Sequence, residues 1–589
     1  MSAQKLITEH LDLWTGAIAS KTSSGRGGSS KIELAGVKKL RELILELAVR
    51  GKLVEQDFSD EPARVLLRQI AEEKAEPANK GKDRKSKSPA VIDEVDRPFT
   101  LPLGWEWTRV SDISELITSG SRDWARYYSD TGAIFVTMSN LSRGDYKLRL
   151  HNIRYVSPPP GGEGARTSLQ AGDLVVSITG DVGNLGLIPE GFGEAYINQH
   201  ACLVRLSSPC RNRYLAEFLR SPCAQSQFNE PQRGIKNSFR LSDMAEILVP
   251  LPPLNEQHRI VQKVDELMAL CDRLEQQTSD QLEAHETLVD TLLGTLTQSA
   301  NATDLADNWA RLAAHLDTLF TTEQSIDKLK QTILQLAVTG RLVSQYAEEE
   351  PVATLLQSIE GLKSELTESG VIKRSAPLPP VSDDEHPFEL PAGWACQRLG
   401  ELVSKLGSGS TPRGGQQAYV DEGIAFLRSQ NVWNDGLRLD DIVYISEETH
   451  SSMSNTIVYP GDILLNITGA SLGRSTIFPE QPPEANVSQH VTIIRPLEPE
   501  MTSFIHLCIQ SPLIQSLVWG RQVGMAIEGL SKKVLERFEM PIPPLAEQHR
   551  IVQKVDELMA LCDQIKERLN QASETRCQLA DAIVEGALH

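Results

Sequence analysis

The sequence predicts an α+β chain: two β-rich units separated by long antiparallel coiled-coil helices, closing into a circular, pseudo-two-fold arrangement. Three observations predict it. The 589-residue chain repeats itself at an offset of about 290 positions. Apolar residues recur at coiled-coil spacing in the repeated flanks. Between the flanks lie short apolar runs bounded by glycine, as strands are.

The repeat is explicit. Residues 256–272 read EQHRIVQKVDELMALCD, and residues 547–563 read the same without a change. Each copy follows a proline-rich start, 250–254 (PLPPL) and 541–545 (PIPPL). Residues 41–54 (RELILELAVRGKLV) align with 330–343 (KQTILQLAVTGRLV). Pro102 and Gly104-Trp105 match Pro391 and Gly393-Trp394, and Gly172-Asp173 matches Gly461-Asp462. Ile178-Thr179-Gly180 matches Ile467-Thr468-Gly469, and Gln199-His200 matches Gln489-His490. The middles, about 106–245 and 395–535, share little else. Two equal scaffolds thus carry two different readers, as suits recognition of two different things in a fixed relative geometry.

In residues 256–296, Ile260, Val264, Leu267, Cys271 and Leu274 step by four, three, four and three. Pro252-Pro253 supplies the start, and Leu282, Val289, Leu292 and Leu296 continue the stripe after a slip near Thr278. Such a helix is roughly 60 Å long. Further helices are predicted over 326–336, stopped at Gly340, and over 352–366. The repeat copies at 38–54 and 548–585 lack neighbouring partners, so they are expected to pair with each other. Strands are predicted at 133–137, 173–179, 201–206, 423–427, 462–468 and 491–495, with short helices at 214–220 and 504–509. Polar linkers are read at 22–30, 74–87 and 375–386. The resulting division is 1–97, 98–250, 251–386, 387–540 and 541–589.

Composition bounds the function. With 40% apolar and 23% charged residues the chain is globular. It has no apolar run of about 18 residues, and Glu9, His10 and Asp12 interrupt any secretory signal. A cytoplasmic location is expected. The eight cysteines form no CxxC pair and are expected to be reduced thiols. A net charge of −20 argues against indiscriminate DNA binding. The charge is uneven: residues 99–250 hold 15 Lys+Arg against 15 Asp+Glu, and 388–540 hold 11 against 17. The remaining excess falls on the predicted helices.

Catalytic signatures are missing. Residues 25–31 are glycine-rich but do not make a phosphate-binding loop, and no HExxH, GxSxG or Asn/Asp-Pro-Pro-aromatic motif occurs. His200, His490, His258 and His549 form matched pairs without metal-ligand spacing, and His200 and His490 are read as structural. No catalytic residue and no metal site is predicted.

The doubled PxPPLxEQHRIVxKVDELM segment, each time after a strand-rich unit opened by LPxGW, resembles the specificity subunit of type I DNA restriction-modification systems. The resemblance covers nearly the whole chain. The LAVRGKLV repeat (47–54) is similar to a subgroup with a conserved N-terminal extension. The resemblance implies two target recognition domains, each reading one half of an interrupted DNA target. It implies helical repeats that space the domains and bind two modification subunits, with restriction subunits completing the complex. S-adenosylmethionine, ATP and Mg are then expected on the partners, and the chain itself is not an enzyme and binds no cofactor.

Base reading needs Arg, Lys, Asn or Gln on loops. The first unit offers Arg122, Arg126 and Tyr127 in one loop, Arg143, Lys147 and Arg149 in a second, and Arg233, Lys236 and Asn237 in a third. The second offers Arg413, Gln416 and Gln417, then Arg428, Gln430 and Asn431, then Gln522, Lys532 and Lys533. Residues 407–412 (GSGSTP) resemble the Gly-Thr-Pro loop of the family's recognition domains; the first unit departs from it. Subunit docking is assigned to Glu256, Gln257 and Arg259 and to their copies Glu547, Gln548 and Arg550. The acidic total also fits a non-catalytic coiled-coil protein-interaction scaffold, which a steep salt dependence of DNA binding would exclude.

Overall fold

A computed structural model describes residues 7–21, 31–75, 92–159, 161, 164–229, 238–299, 302–374, 376–522 and 529–588. They form two compact units. The first holds residues 7–21, 31–280 and 573–588, and the second holds 281–572. The polar stretch at 22–30 lies outside the described residues, as does 76–87; Lys74 and Ala75 end the helix Ala63–Ala75. No helix among the described residues is long and apolar enough to cross a membrane.

Four helices carry the frame: α1 (Ala35–Val49), α2 (Leu254–Thr297), α3 (Glu323–Val338) and α4 (Leu545–Leu588). The predicted stripe is the buried one. Ile260, Val264, Leu267 and Cys271 are buried on α2, and Ile551, Val555, Leu558 and Cys562 on α4. In the first unit α1 runs antiparallel to the start of α2: Arg41 pairs with Asp272 at 2.7 Å and Glu275 at 2.6 Å, while Asp60, beyond α1, pairs with Arg259 at 2.6 Å. The end of α4 runs parallel to α1, with Lys39 Nζ 2.5 Å from Asp581 and Lys52 Nζ donating to Leu588 O at 2.7 Å. The second unit repeats the pattern. Lys330 of α3 pairs with Asp563 of α4 at 2.5 Å, Arg550 pairs with Glu349, and Lys328 reaches Asp290 at the end of α2 at 2.8 Å. In each unit, therefore, the two long helices run in opposite directions, and their polar ties pass through the shorter helix of the repeat. A helix at Ala302–Ala313, not marked by the repeat, turns back along the end of α2, with Asn308 Nδ2 donating to Ser299 Oγ at 3.1 Å.

The three repeated motifs meet at one point in each unit. Trp105, of the LPxGW segment, is buried and donates its indole N–H to Glu256 Oε2 at 3.0 Å. Trp394 donates to Glu547 Oε1 at 3.1 Å. Gly51 and Gly340, which end the LAVxG segments, have φ of +68° and +69°. A Cβ at Gly51 would stand 2.5 Å from Pro102, and at Gly340 2.6 Å from Pro391. Only glycine permits that approach. Tyr214 and Phe504 pack edge-on to the two indoles at 6.5 and 6.3 Å.

Each reader enters and leaves its scaffold on one strand pair: Glu106–Arg109 with Leu248–Leu251, and Ala395–Arg398 with Glu539–Ile542. Beyond it lies an antiparallel sheet, ordered Ser114–Ser119, Ala201–Leu206, Leu174–Ser177, Leu185–Leu187 in the first unit. In the second the order is Val403–Ser408, Val491–Pro496, Ile463–Asn466, Ser475–Ile477. A second, mixed sheet has four strands in the first reader and five in the second. The Gly-Asp matches explain themselves here. Buried Asp173 takes two hydrogen bonds from Arg205 at 2.8 and 2.7 Å, and buried Asp462 two from Arg495 at 2.6 Å each.

Two expectations follow. Trp105→Phe leaves the buried Glu256 carboxylate without its donor, and the first unit should lose about 2 kcal/mol. Combining it with Glu256→Leu should recover part of that loss, because removing both partners also removes the desolvation cost. Urea unfolding followed by hydrogen exchange in first-unit peptides measures both, and a double variant no more stable than the single would refute the pairing as the source. The second concerns Glu217, buried beside Arg220 at 2.6 Å, whose carboxyl burial pushes up to about 7. A folded value above the unfolded one means its contribution is complete below the unfolded pKa and is lost as pH rises through about 7. Glu217→Gln should therefore gain on the native chain, by of order 2 kcal/mol, between pH about 5 and 8. Equal urea midpoint differences at both pH values would contradict it.

Candidate nucleic-acid interface

The strand register brings the reader loops to one end of each antiparallel sheet. In the first unit Cys202 pairs with Ser119 and Ala201 with Ser177. The loop after Ser119, the loop after Ser177 and the residues before Ala201 therefore share one edge. Ser121 bridges to Asn198, and Thr179 to Ser238. In the second unit Thr492 pairs with Ser408, Val491 with Asn466, and Thr468 bridges to Gly529.

A matched polar cluster sits on each edge. Thr179 Oγ1 is 2.8 Å from His200 Nδ1, and Gln199 Nε2 is 3.0 Å from His200 Nε2. Thr468 Oγ1 is 2.7 Å from His490 Nδ1, and Gln489 Nε2 is 3.2 Å from His490 Nε2. The amide N–H can only donate, so Nε2 accepts and Nδ1–H donates to the threonine. The ring's Nδ1 is thus spent on the threonine hydroxyl and its Nε2 on the glutamine amide. Its work is to fix a threonine hydroxyl and a glutamine amide on a half-buried edge. Sequence matching found these residues; reading His200 and His490 as structural agrees with their contacts but passes over what they position.

Around this constant cluster the loops differ. In the first unit Trp124 is buried against Phe135, Tyr196 and Tyr127 at 5.0, 5.2 and 6.1 Å. It anchors a loop from which exposed Arg122 and Arg126 project, with Arg126 over the half-buried Tyr127 ring at 4.8 Å. Arg143 reaches the loop after Thr179, donating to Val182 O at 2.6 Å and pairing with Asp181 at 2.9 Å. Arg149 donates to Ser142 Oγ at 2.9 Å, and Lys147 is exposed. Arg233, Lys236 and Asn237 lie outside the described residues.

In the second unit Thr411 hydrogen-bonds Gln489, which sets exposed Arg413, Gln416 and Gln417 beside the cluster. Exposed Lys532 and Lys533 open a short helix just beyond Gly529, and exposed Gln430 lies next to Ser429, whose carbonyl accepts from Asn466 at 2.8 Å. Gln522 donates to Trp519 O at 3.1 Å. Arg428 donates to Asp441 O and is half-buried. Asn431 departs from expectation: it is 1% exposed, accepts from Arg428 N at 2.9 Å and donates to Arg438 O at 2.8 Å. Both amide ends are spent on the backbone, so it shapes the loop and offers nothing to a base. Asn140 does the same in the first unit, with Thr137 N at 2.9 Å and Arg149 O at 2.8 Å. Trp433, covered by Arg474 at 3.7 Å and Arg438 at 5.3 Å, is a further group here that spacing does not single out.

The docking candidates are also displaced inward. Glu256, Gln257, Glu547 and Gln548 are buried, spent on the tryptophans and on the prolines before each helix. Arg259 and Arg550 pair with Asp60 and Glu349. Being polar, they look like surface residues in sequence; they are the lock of the scaffold. The exposed positions of the same segment include His258, Gln262, Asp265 and Glu266, with their copies His549, Gln553, Asp556 and Glu557. No group of three or more His, Cys, Asp or Glu among the described residues could hold a metal.

Residues 102–284 and 391–574 match the family described as Type I restriction modification DNA specificity domain. The Type I restriction enzyme EcoAI specificity subunit of Escherichia coli is 37% identical over the full length of both chains. The EcoEI specificity subunit of Escherichia coli is 36% identical, again over the full length of both. Among solved structures, the HsdS subunit from Thermoanaerobacter tengcongensis covers 83% of this chain and 98% of its own at 19% identity, with a TM-score of 0.37. With two matched copies spanning both readers and their helices, the chain belongs to the family of type I restriction-modification DNA specificity proteins.

Proposed function

We propose that this chain is the DNA sequence-recognition subunit of a type I restriction-modification complex. It reads a bipartite, asymmetric target, one half-site per reader. The carrying observation is the pair of matched Thr–His–Gln edges surrounded by unlike loops. A constant edge fixes where DNA meets the reader; variable Arg, Lys and Gln side chains supply base contacts. The chain supplies recognition alone. S-adenosylmethionine, ATP and Mg belong to modification and restriction subunits assembled on it in the cytoplasm. Two modification subunits dock on the exposed face of the duplicated helix segment. Its exposed positions are identical in the two copies although packing does not require it, which supports two copies of one partner.

Arg122→Ala with Arg126→Ala should relax one half of the target and leave the other intact, at about 1–3 kcal/mol of discrimination per lost base contact. Arg413→Ala with Gln416→Ala should do the converse. Methylated-site motifs from cells carrying the assembled system report both, and equal change in both half-sites would defeat the two-reader assignment. The purified chain alone, given S-adenosylmethionine and target DNA, should transfer no methyl group; tritium incorporation into DNA would show otherwise.

A further inference from the structure

The loop that carries Thr468 closes on a backbone position that the two readers share. In the second reader Asn466 N donates to Arg474 O at 2.8 Å and Gly473 N to Asn466 O at 2.9 Å. In the first, Ser177 N donates to Asn184 O at 2.8 Å and Gly183 N to Ser177 O at 3.0 Å. Arg474 and Asn184 therefore end the same loop, on the sheet edge that holds the Thr–His–Gln clusters. Their side chains are used differently. Asn184 Nδ2 donates to Asp181 Oδ2 at 2.9 Å, and Arg143 pairs with the same carboxylate at 2.9 Å. The first reader's position is closed on itself.

In the second reader the guanidinium is held in place with its donors free. Arg474 Cζ lies over the Trp433 ring, 3.7 Å from its centroid. At that separation the group rests flat on the ring, because an edge-on approach would hold Cζ farther off by the length of its C–N and N–H bonds. Such a stack occupies the face of the guanidinium, whereas its five N–H groups lie in the plane and point outward. Half-buried Arg474 makes no ion pair and no side-chain hydrogen bond among the described residues. Its support is itself fixed: Trp433 Nε1 donates to Gln430 O at 2.8 Å, two residues after the brace at Asn431. Arg438, the other guanidinium near this ring, is closed on Asp435 at 2.6 Å. Arg474 alone of the two presents a free fork of donors to the recognition edge.

We propose that Arg474, carried on Trp433, reads a guanine in the half-site of the second reader, its fork donating to O6 and N7. This rests on the two-reader assignment above. A guanine edge rather than a phosphate follows from setting the two readers side by side. Phosphates are the same in every target, so a residue that contacts them gains nothing by differing between readers. This position changes from arginine to asparagine on a matched backbone, and in the first reader the amide is turned onto Asp181. The stack suits base reading as well. It orders a long side chain before DNA arrives, which lowers the entropy lost on binding and fixes the direction of the fork.

Methylated-site motifs from cells carrying the assembled system, and binding of the assembled methyltransferase to duplexes altered one base pair at a time, test it. Arg474→Lys keeps the charge but not the fork. It should cut discrimination about tenfold at one G·C pair, in one half-site only, and leave the other positions as in the native chain. Trp433→Leu, which keeps Arg474 but removes its support, should relax the same pair. A motif unaltered in both variants, or altered only at A·T pairs, would overturn the guanine contact. So would a phosphate pattern, in which Arg474→Ala weakens all duplexes alike with a salt slope lower by about one, and Arg474→Lys matches the native chain. In those cases the two readers stay assigned. Change spread equally over both half-sites, or no methylated motif from the native system, would instead overturn the two-reader assignment and the guanine contact with it.

Discussion

The hydrogen bond from a buried indole to a buried glutamate, made once in each unit, is the contact on which the rest of the structure depends. Trp105 and Glu256 are 151 positions apart, and Trp394 and Glu547 are 153 apart. Each bond ties the strand that enters a reader to the helix that leaves it. A carboxylate taken out of water is costly unless it is paired, so the tie holds only where the tryptophan, the glycine turn beneath it and the helix start are all in place. That interdependence accounts for a repeat whose flanks scarcely differ while its middles diverge. The flanks must satisfy each other; the loops need satisfy only what they read.

Much of this frame is legible in sequence. The heptad steps from Ile260 to Leu274 predicted a helix that runs from Leu254 to Thr297, and the strands bounded by Gly172 and Gly461 are where the apolar runs placed them. Periodicity works because a buried stripe repeats every three or four residues whatever it packs against. It fails where a polar residue is buried by a distant partner. Glu256 and Gln257 carry no local sign that Trp105 and Pro252 will satisfy them, so they resemble surface groups. Asn431 likewise has the composition of a base reader and the contacts of a loop brace.

The two readers show how a constant edge and a variable surface coexist. The Thr–His–Gln clusters keep the same donor and acceptor order in both units. Around them the first reader builds its loop on a buried Trp124, whereas the second uses the short hairpin Val432–Trp433 with Gly436–Leu437 and arginines over Trp433. The two aromatic anchors sit on different loops, Trp124 after the strand Ser114–Ser119 and Trp433 after the strand Ile424–Leu427, and hold different polar tips. Loops of this kind, on a rigid sheet, are where binding residues can change without loss of the core.

The division of the long helices also bears on how the chain is made. The second unit is continuous in sequence, residues 281–572, whereas the first needs residues 573–588 to pack beside its opening helices. A nascent chain emerging from its N-terminus can therefore complete the later unit first. The earlier one waits, its α1 lacking Asp581 until residues 573–588 have been made. Chains that stop at residue 572 would hold a finished second unit and a first unit without the segment that packs on its α1, and in that state the first unit's scaffold is open to misfolding or to capture by a chaperone.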